Sequence, residues 1–183
     1  MLDEDMSVLL VTDKSRWGVL AADHAKSAGL ELTHMAWQHG DADADGLDSW
    51  EGDWIVGFKA DYILSSEELG RARAGAINFH PGPPTLRGVG TYQAAIEAGH
   101  KSYGVTCHHM VRKVDAGRII ATRHFDLRAG VGAGDLHEMA AAHLYLLYIE
   151  MISLIRKKAP LPESAEEWSG PLHTWKQLYQ RNG

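Results

Sequence analysis

The feature that most constrains this chain is a series of short, unbroken apolar runs separated by helical or turn-rich stretches. Residues 8–12 (VLLVT), 53–58 (DWIVGF) and 75–79 (GAINF) show little polar alternation. A strand that is apolar on both faces has to be covered on both faces, which is the condition of a parallel sheet flanked by helices. Between the first two runs, Trp17, Leu20, Ala21, Ala25 and Ala28 recur at helical spacing, so residues 15–28 read as a helix closed by Gly29. Residues 30–37 read as a second strand. Residues 38–52 are polar and irregular, and no element is assigned to them.

The second half continues the alternation and then changes character. Ser65-Ser66-Glu67-Glu68 reads as the capped first turn of a short helix. Residues 91–98 form a helix entered through Gly88 and Gly90. Strands at 103–110 and 118–125 are separated by a turn at Asp115-Ala116-Gly117. Asp135 is the expected cap of a long helix reaching about Lys157, and residues 158–183 form an extended tail carrying Trp168 and Trp175. These readings predict one α/β domain over residues 1–183. Its sheet is Rossmann-like and mostly parallel, with helices on both faces and an antiparallel extension.

Composition narrows the classes. A chain of 183 residues with 45% hydrophobic and 23% charged residues is large and mixed enough to bury a core and too apolar to be disordered. One cysteine, Cys107, cannot make an internal disulfide, so a reducing cytoplasm is the expected compartment. The acidic start MLDEDMSVLL lacks the basic region of a signal peptide. No continuous apolar run approaches the roughly 20 residues of a membrane span, so no membrane partner is expected. A net charge of −6 without a basic block argues against nucleic acid as a partner.

The densest chemistry lies in INFHPGPPTLRGVG, residues 77–90. Asn78 and His80 are two apart at the end of a buried strand, so they project to one side of an extended segment. In an open parallel sheet, ligands bind beyond the carboxyl ends of the strands. An amide donor and an imidazole there suit a developing oxyanion. The alternative is an ordinary Pro-Gly turn whose asparagine caps backbone groups. The second segment is GVTCHHMVRKVDAGRII, residues 104–120. A carboxylate at Asp115 near His80 would raise the imidazole pKa and accept a proton from an amine. The alternative is that Asp115 begins a tight turn in which Gly117 supplies an unusual backbone angle.

Taken together, Asn-x-His-Pro, the following Arg-Gly, Gly-Val-Thr-x-His and Val-Asp-x-Gly-x-Ile-Ile resemble the formyltransferases that use 10-formyltetrahydrofolate. The resemblance runs from about Ser7 through Phe125. It implies that Asn78, His80 and Asp115 are catalytic, with His80 held protonated by Asp115. It also implies a folate pocket built from Tyr62, Ile63, Leu64, Val111, Arg112 and Asp115. The implied activity is formyl transfer from 10-formyltetrahydrofolate to a small-molecule amine, without a metal. Formylation of methionyl-tRNA needs a further carboxy-terminal domain, and the stretch after the long helix is short and of mixed charge. The segment Thr12 to Gly18 lacks the glycine-rich phosphate loop of glycinamide-ribotide enzymes. The HPGPP loop is closer to members that formylate nucleotide-linked amino sugars. Residues 38–52 are shorter than the family's usual connection, so a strand–helix unit is expected to be absent. The alternatives are an inactive folate- or nucleotide-binding protein and a hydrolase of the formyl donor.

Other signals carry less. Asp41, Asp43 and Asp45 with Gly46 match the first half of a calcium loop, but the twelfth position is Gly52 rather than glutamate. His137 and His143 are six apart on a helix and point well away from each other. His108 matches the family's histidine after Gly-Val-Thr and supports the site, whereas adjacent His109 faces the opposite way. Cys107 reads as a packed strand residue. The long helix is apolar on more than one face, which fits core burial on two sides, with a homodimer interface as the alternative. Trp168 and Trp175 are expected to anchor the tail.

Overall fold

A computed structural model describes residues 6–42 and 47–181. The chain opens with β1 (Ser7–Thr12), and α1 (Arg16–Ser27) follows, capped by the Ser15 hydroxyl, which accepts from Gly18 N–H. β2 (Glu31–Ala36) and β3 (Gly52–Phe58) then flank β1, both parallel to it. α2 (Ser66–Leu69) starts with a reciprocal capping box between Ser65 and Glu68, as the SSEE pattern predicts. β4 (Ala72–His80) lies parallel to β3 and is longer than the apolar run alone indicates. After β5 (Arg87–Gly88) and α3 (Thr91–Glu97), β6 (Ser102–His109) and β7 (Ile119–Asp126) extend the sheet in antiparallel fashion. The order is β2-β1-β3-β4-β6-β7, which confirms the mixed, mostly parallel sheet.

α4 (Ala133–Arg156) is capped at Gly132 rather than Asp135. Asp135 instead lies in the first turn, where its charge suits the amino end of the helix. Nine α4 residues are buried, among them Leu136, Leu144, Tyr148 and Ile152, and they join Leu10, Phe58, Phe79 and Val105 in the main core. Complete burial of each such side chain contributes about 1.5–3 kcal/mol. Tyr145 and Tyr148 hydroxyls donate to the Leu20 and Ala21 carbonyls, so part of the second apolar face of α4 packs on α1. By length and composition alone, α4 is apolar enough to cross a bilayer, with a mean hydropathy of 1.3. The expectation from unbroken runs missed this, because isolated polar residues interrupt the run without much lowering its mean. Much of that apolar side faces the sheet.

The opposite sheet face is thinner. Alternation along β1 sends Leu9 and Val11 to it, where they meet Ile55, Leu47 and Leu64 beneath α2 and the loops. Between β2 and β3 the described residues form only a single 3-10 turn at Leu47–Ser49, as the shortened connection predicts. β2 is therefore left as a sheet edge, with four of its six residues exposed and Leu32 and Met35 half-buried. Asp43, Asp45 and Gly46 of the calcium-loop reading lie outside the described residues, and Asp41 is paired with Lys14 at 2.8 Å.

The tail is not simply extended. Beyond residue 171 it adds β8 (Leu172–His173), which pairs in parallel with β5, and then α5 (Trp175–Arg181). Its irregular residues carry no periodic pattern that would announce this return.

Candidate active site

The carboxyl end of β4 carries the two residues singled out by the sequence. Ile77 and Phe79 enter the main core, so Asn78 and His80 project to the thinner face, as period-two geometry requires. On β6, Asn78 is opposite His108 and His80 is opposite Thr106. Space for Asn78 comes from Gly57 on β3, where a Cβ atom would lie 2.4 Å from Asn78 Oδ1.

Asp115 reaches this pair from the loop between β6 and β7. Its own φ is +43°, uncommon for a residue with a side chain and a form of strain found at functional sites. Gly117 does not supply the unusual angle expected of it. It is needed for room, since a Cβ there would lie 1.8 Å from the His109 carbonyl oxygen. Arg87 holds the loop by donating to the Asp115 and Val114 carbonyls at 2.7 and 3.1 Å.

The Asp115 carboxylate sits between two imidazoles. Oδ2 is 3.4 Å from His80 Nδ1, and Oδ1 is 3.2 Å from His108 Nε2, while Gly88 N–H donates to Oδ2 at 2.7 Å. The outer nitrogen of each ring is tied to backbone: His80 Nε2 donates to the Leu86 carbonyl and His108 Nδ1 to that of His109, both at 2.8 Å. Hydrogen bonding thus assigns the ring protons outward and leaves each inner nitrogen facing the carboxylate. When neutral, His108 Nε2 accepts from Asn78 Nδ2 at 3.2 Å.

Burial holds the His80 imidazole below its ordinary value of 6.5, outweighing the upward pull of Asp115. The sequence reading had the carboxylate winning, but burial at 3% exposure penalises the charged ring more. Burial acts on Asp115 too and would raise it. The charge of the His80 ring when protonated, the charge of a protonated His108 and the bond its Nε2–H then donates, and the Gly88 N–H prevail, and the carboxyl stays well below the usual range. The resting arrangement is one ionised carboxylate facing two ring nitrogens, and a proton arriving at either is held against that charge.

These groups line a cavity of about 430 Å³ at the carboxyl ends of the parallel strands. Tyr62, Ile63, Leu64, Val111 and Arg112, predicted for folate, line the same cavity with Asp115. Ile63 and Val111 are exposed at 65% and 47%, whereas Leu64 is buried. Among the described residues no group of three or more His, Cys, Asp or Glu could hold a metal ion.

A family model for formyl transferases matches residues 4–152, most of the chain. The chain belongs to the formyl transferase family. It is 35% identical over 120 residues to the methionyl-tRNA formyltransferase of Bdellovibrio bacteriovorus, covering 64% of this chain and 38% of that one. The chain thus spans about four-tenths of the length of the curated relatives it matches. Among solved structures it resembles the formyltransferase PseJ of Anoxybacillus kamchatkensis, in complex with UDP-4,6-dideoxy-4-formamido-L-AltNAc and tetrahydrofolate. The TM-score is 0.73 at 22% identity, with 95% of this chain and 88% of that one covered. It also resembles an N-formyltransferase of Helicobacter canadensis in complex with folinic acid and dTDP-3-aminofucose, with a TM-score of 0.73, 16% identity and coverage of 92% and 71%. At these identities the structural likeness shows the fold.

In this formyl transferase domain one tail residue that sequence reasoning placed only as an anchor also packs on the two imidazoles. Trp168 Nε1 donates to the Gly117 carbonyl at 2.7 Å, which is the anchoring role expected. Its ring also lies 5.8 Å from the His80 ring and 5.0 Å from the His108 ring, edge to face, with the Arg87 guanidinium over it. No spacing rule links Trp168 to those histidines. Trp175 stacks on His39 at 4.4 Å and lines the cavity.

Proposed function

We propose that this protein transfers the formyl group of 10-formyltetrahydrofolate to the primary amine of a small molecule, a nucleotide-linked amino sugar, in the cytoplasm. The observation that carries the proposal is the Asp115 carboxylate held between two imidazoles beside the Asn78 amide, on the wall of the cavity. A neutral amine adds to the formyl carbon and leaves a tetrahedral oxyanion and an ammonium. Asn78 Nδ2 turns from His108 to donate to the oxyanion. The proton lost by the nitrogen is taken up by His80 Nδ1 or His108 Nε2, where Asp115 stabilises the imidazolium. Collapse breaks the bond to the folate nitrogen, which takes that proton, so charge and protons balance. The amino-sugar acceptor is supported by the HPGPP loop and by the sugar ligands of the PseJ and H. canadensis proteins.

The test is incubation with 10-formyltetrahydrofolate and dTDP-3-aminofucose, with tetrahydrofolate release followed optically and the acceptor followed by mass spectrometry. A formylated sugar supports the proposal. Release of tetrahydrofolate at the same rate without an amine identifies a hydrolase instead, and binding without release identifies an inactive binding protein. A second acceptor, the amino group of methionyl-tRNA, is favoured by the names of the curated relatives, and the same assay with that substrate decides it.

A further inference from the structure

The tail beyond α4 reaches the reaction centre at one side chain that the transfer chemistry does not use. Trp168 is half-buried, and among the described residues it belongs to neither apolar cluster of the sheet. It is not among the described residues that line the cavity, so it meets His80 and His108 on a side turned away from bound substrate. Both ring contacts are edge to face, with interplanar angles of 67° and 86°. The backbone on either side of the indole is tied down. Ser164 N–H donates to the Ile119 carbonyl and Ser169 N–H to that of Pro84, each at 3.2 Å. At Gly170 a Cβ atom would lie 1.7 Å from the Thr85 carbonyl oxygen, so the tail passes the HPGPP loop with no room to spare. Beyond that point β8 pairs with β5, whose Gly88 N–H donates to Asp115.

Two clamps converge on the loop that carries Asp115. Arg87 donates to the Val114 and Asp115 carbonyls, and Trp168 Nε1 donates to the Gly117 carbonyl two residues on. The indole is thereby held against the same two imidazoles that the carboxylate faces. We propose that Trp168 is a positioning residue for the transfer, acting through His80: the indole, fixed by its own N–H and by the tail on both sides, keeps water from the imidazole that faces Asp115. The charged and titratable groups around the His80 ring are Asp115 from the β6–β7 loop, His108 from β6 and Arg87 from β5. Burial is the largest influence and holds the ring below 6.5. Asp115 and the bond to the Leu86 carbonyl pull it up, while His108 and Arg87 push it down. The uncharged indole supplies part of that burial. Removing it lets water reach the ring and leaves the pull of Asp115 less opposed, so the imidazole charges more readily and is less available to take a proton. This proposal rests on the formyl-transfer reading, and its test separates the two.

The experiment is a magnetic-resonance titration of the whole chain carrying isotope-labelled histidine, with the His80 signal assigned by its loss in His80→Asn. Wild type, Trp168→Ala and Trp168→Phe are compared. The His80 midpoint is expected below 6.5 in wild type, about one pH unit higher in W168A, and near wild type in W168F, whose ring restores the shield. A wild-type midpoint at or above 6.5, or an unmoved midpoint in W168A, overturns the proposal. So does W168F behaving like W168A, since any disturbance of the tail would then have the same effect. Lying outside both apolar clusters, Trp168 is expected to be replaceable without loss of the fold. If W168A does not fold, Trp168→Gln, which keeps an N–H donor but no ring, takes its place. Failure of that variant too makes the indole a support of the fold alone and overturns the proposal. The titration needs no substrate. If wild type formylates no amine, the transfer reading fails and the titration still decides whether the indole shields the ring. If wild type formylates dTDP-3-aminofucose, the acid limb of kcat/KM in W168A is expected to rise with the midpoint, and a limb that stays in place overturns the assignment.

Discussion

One face of the six-stranded sheet is sealed by α1 and α4 over Leu10, Phe58, Phe79 and Val105. The other holds a far smaller apolar cluster around Leu9, Val11 and Ile55 and gives way at its carboxyl end to Asn78, His80 and His108. The same strands serve both faces, because alternate residues point opposite ways. The contrast teaches that the thick face supplies the rigidity that lets the thin face stay polar. Strained backbone at Lys59 and Asp115 occurs at the cavity. Such features persist only where the surrounding structure over-determines them.

The sharpest way to break this contrast is to weaken the thick face and watch stability. Leu144→Ala is expected to cost about 2–5 kcal/mol in urea unfolding, since Leu144 is fully buried. A smaller loss than that of a matched Leu9→Ala variant would invert the comparison. On the thin face, Asn78→Ala or His80→Ala is expected to lower turnover about 10²–10³-fold while titrated tetrahydrofolate binding changes little. Unchanged turnover in both would remove them from the chemistry. Gly57→Ala drives a Cβ into Asn78 and is expected to lower turnover by up to about 10²-fold. Steady-state kinetics beside a melting curve tells displacement of Asn78 from loss of fold.

The pH dependence gives a gentler probe. His80 is held below 6.5 in the folded protein, so the unfolded chain binds more protons just below that value. Stability is therefore lost as pH falls from 6.5 through the folded value. Asp115, held low, adds a further loss under more acidic conditions. A rate profile whose acid limb lies below 6.5 fits a neutral His80 that acts as a base, and a limb above 6.5 would return it to the protonated role. The smallest effect is expected for Ile55→Val on the thin face, about 0.5–1.5 kcal/mol by the same urea measurement.

Much of this was legible beforehand. Unbroken runs announced the parallel strands, the SSEE turn announced the cap of α2, and the spacing of Asn78 and His80 placed both on one side of β4. The meeting of His80 with Asp115 came from a resemblance, and the structure brings them together. Local pattern could not give the sign of the His80 shift, because burial depends on which distant residues close over the ring. Asp135 was misread as a cap since a helix can begin on glycine residues that need no side-chain oxygen. The glycine inside β3 was a signal of close approach that went unused.

Trp168 gives the molecule an order of events. Asn78, His80 and Asp115 are all synthesised before the indole that shields the two imidazoles. A growing chain on the ribosome thus owns these three polar groups well before it owns the side chain that covers the two imidazoles. A protease that clipped the polypeptide after α4 would remove that indole and the contacts it makes with both rings.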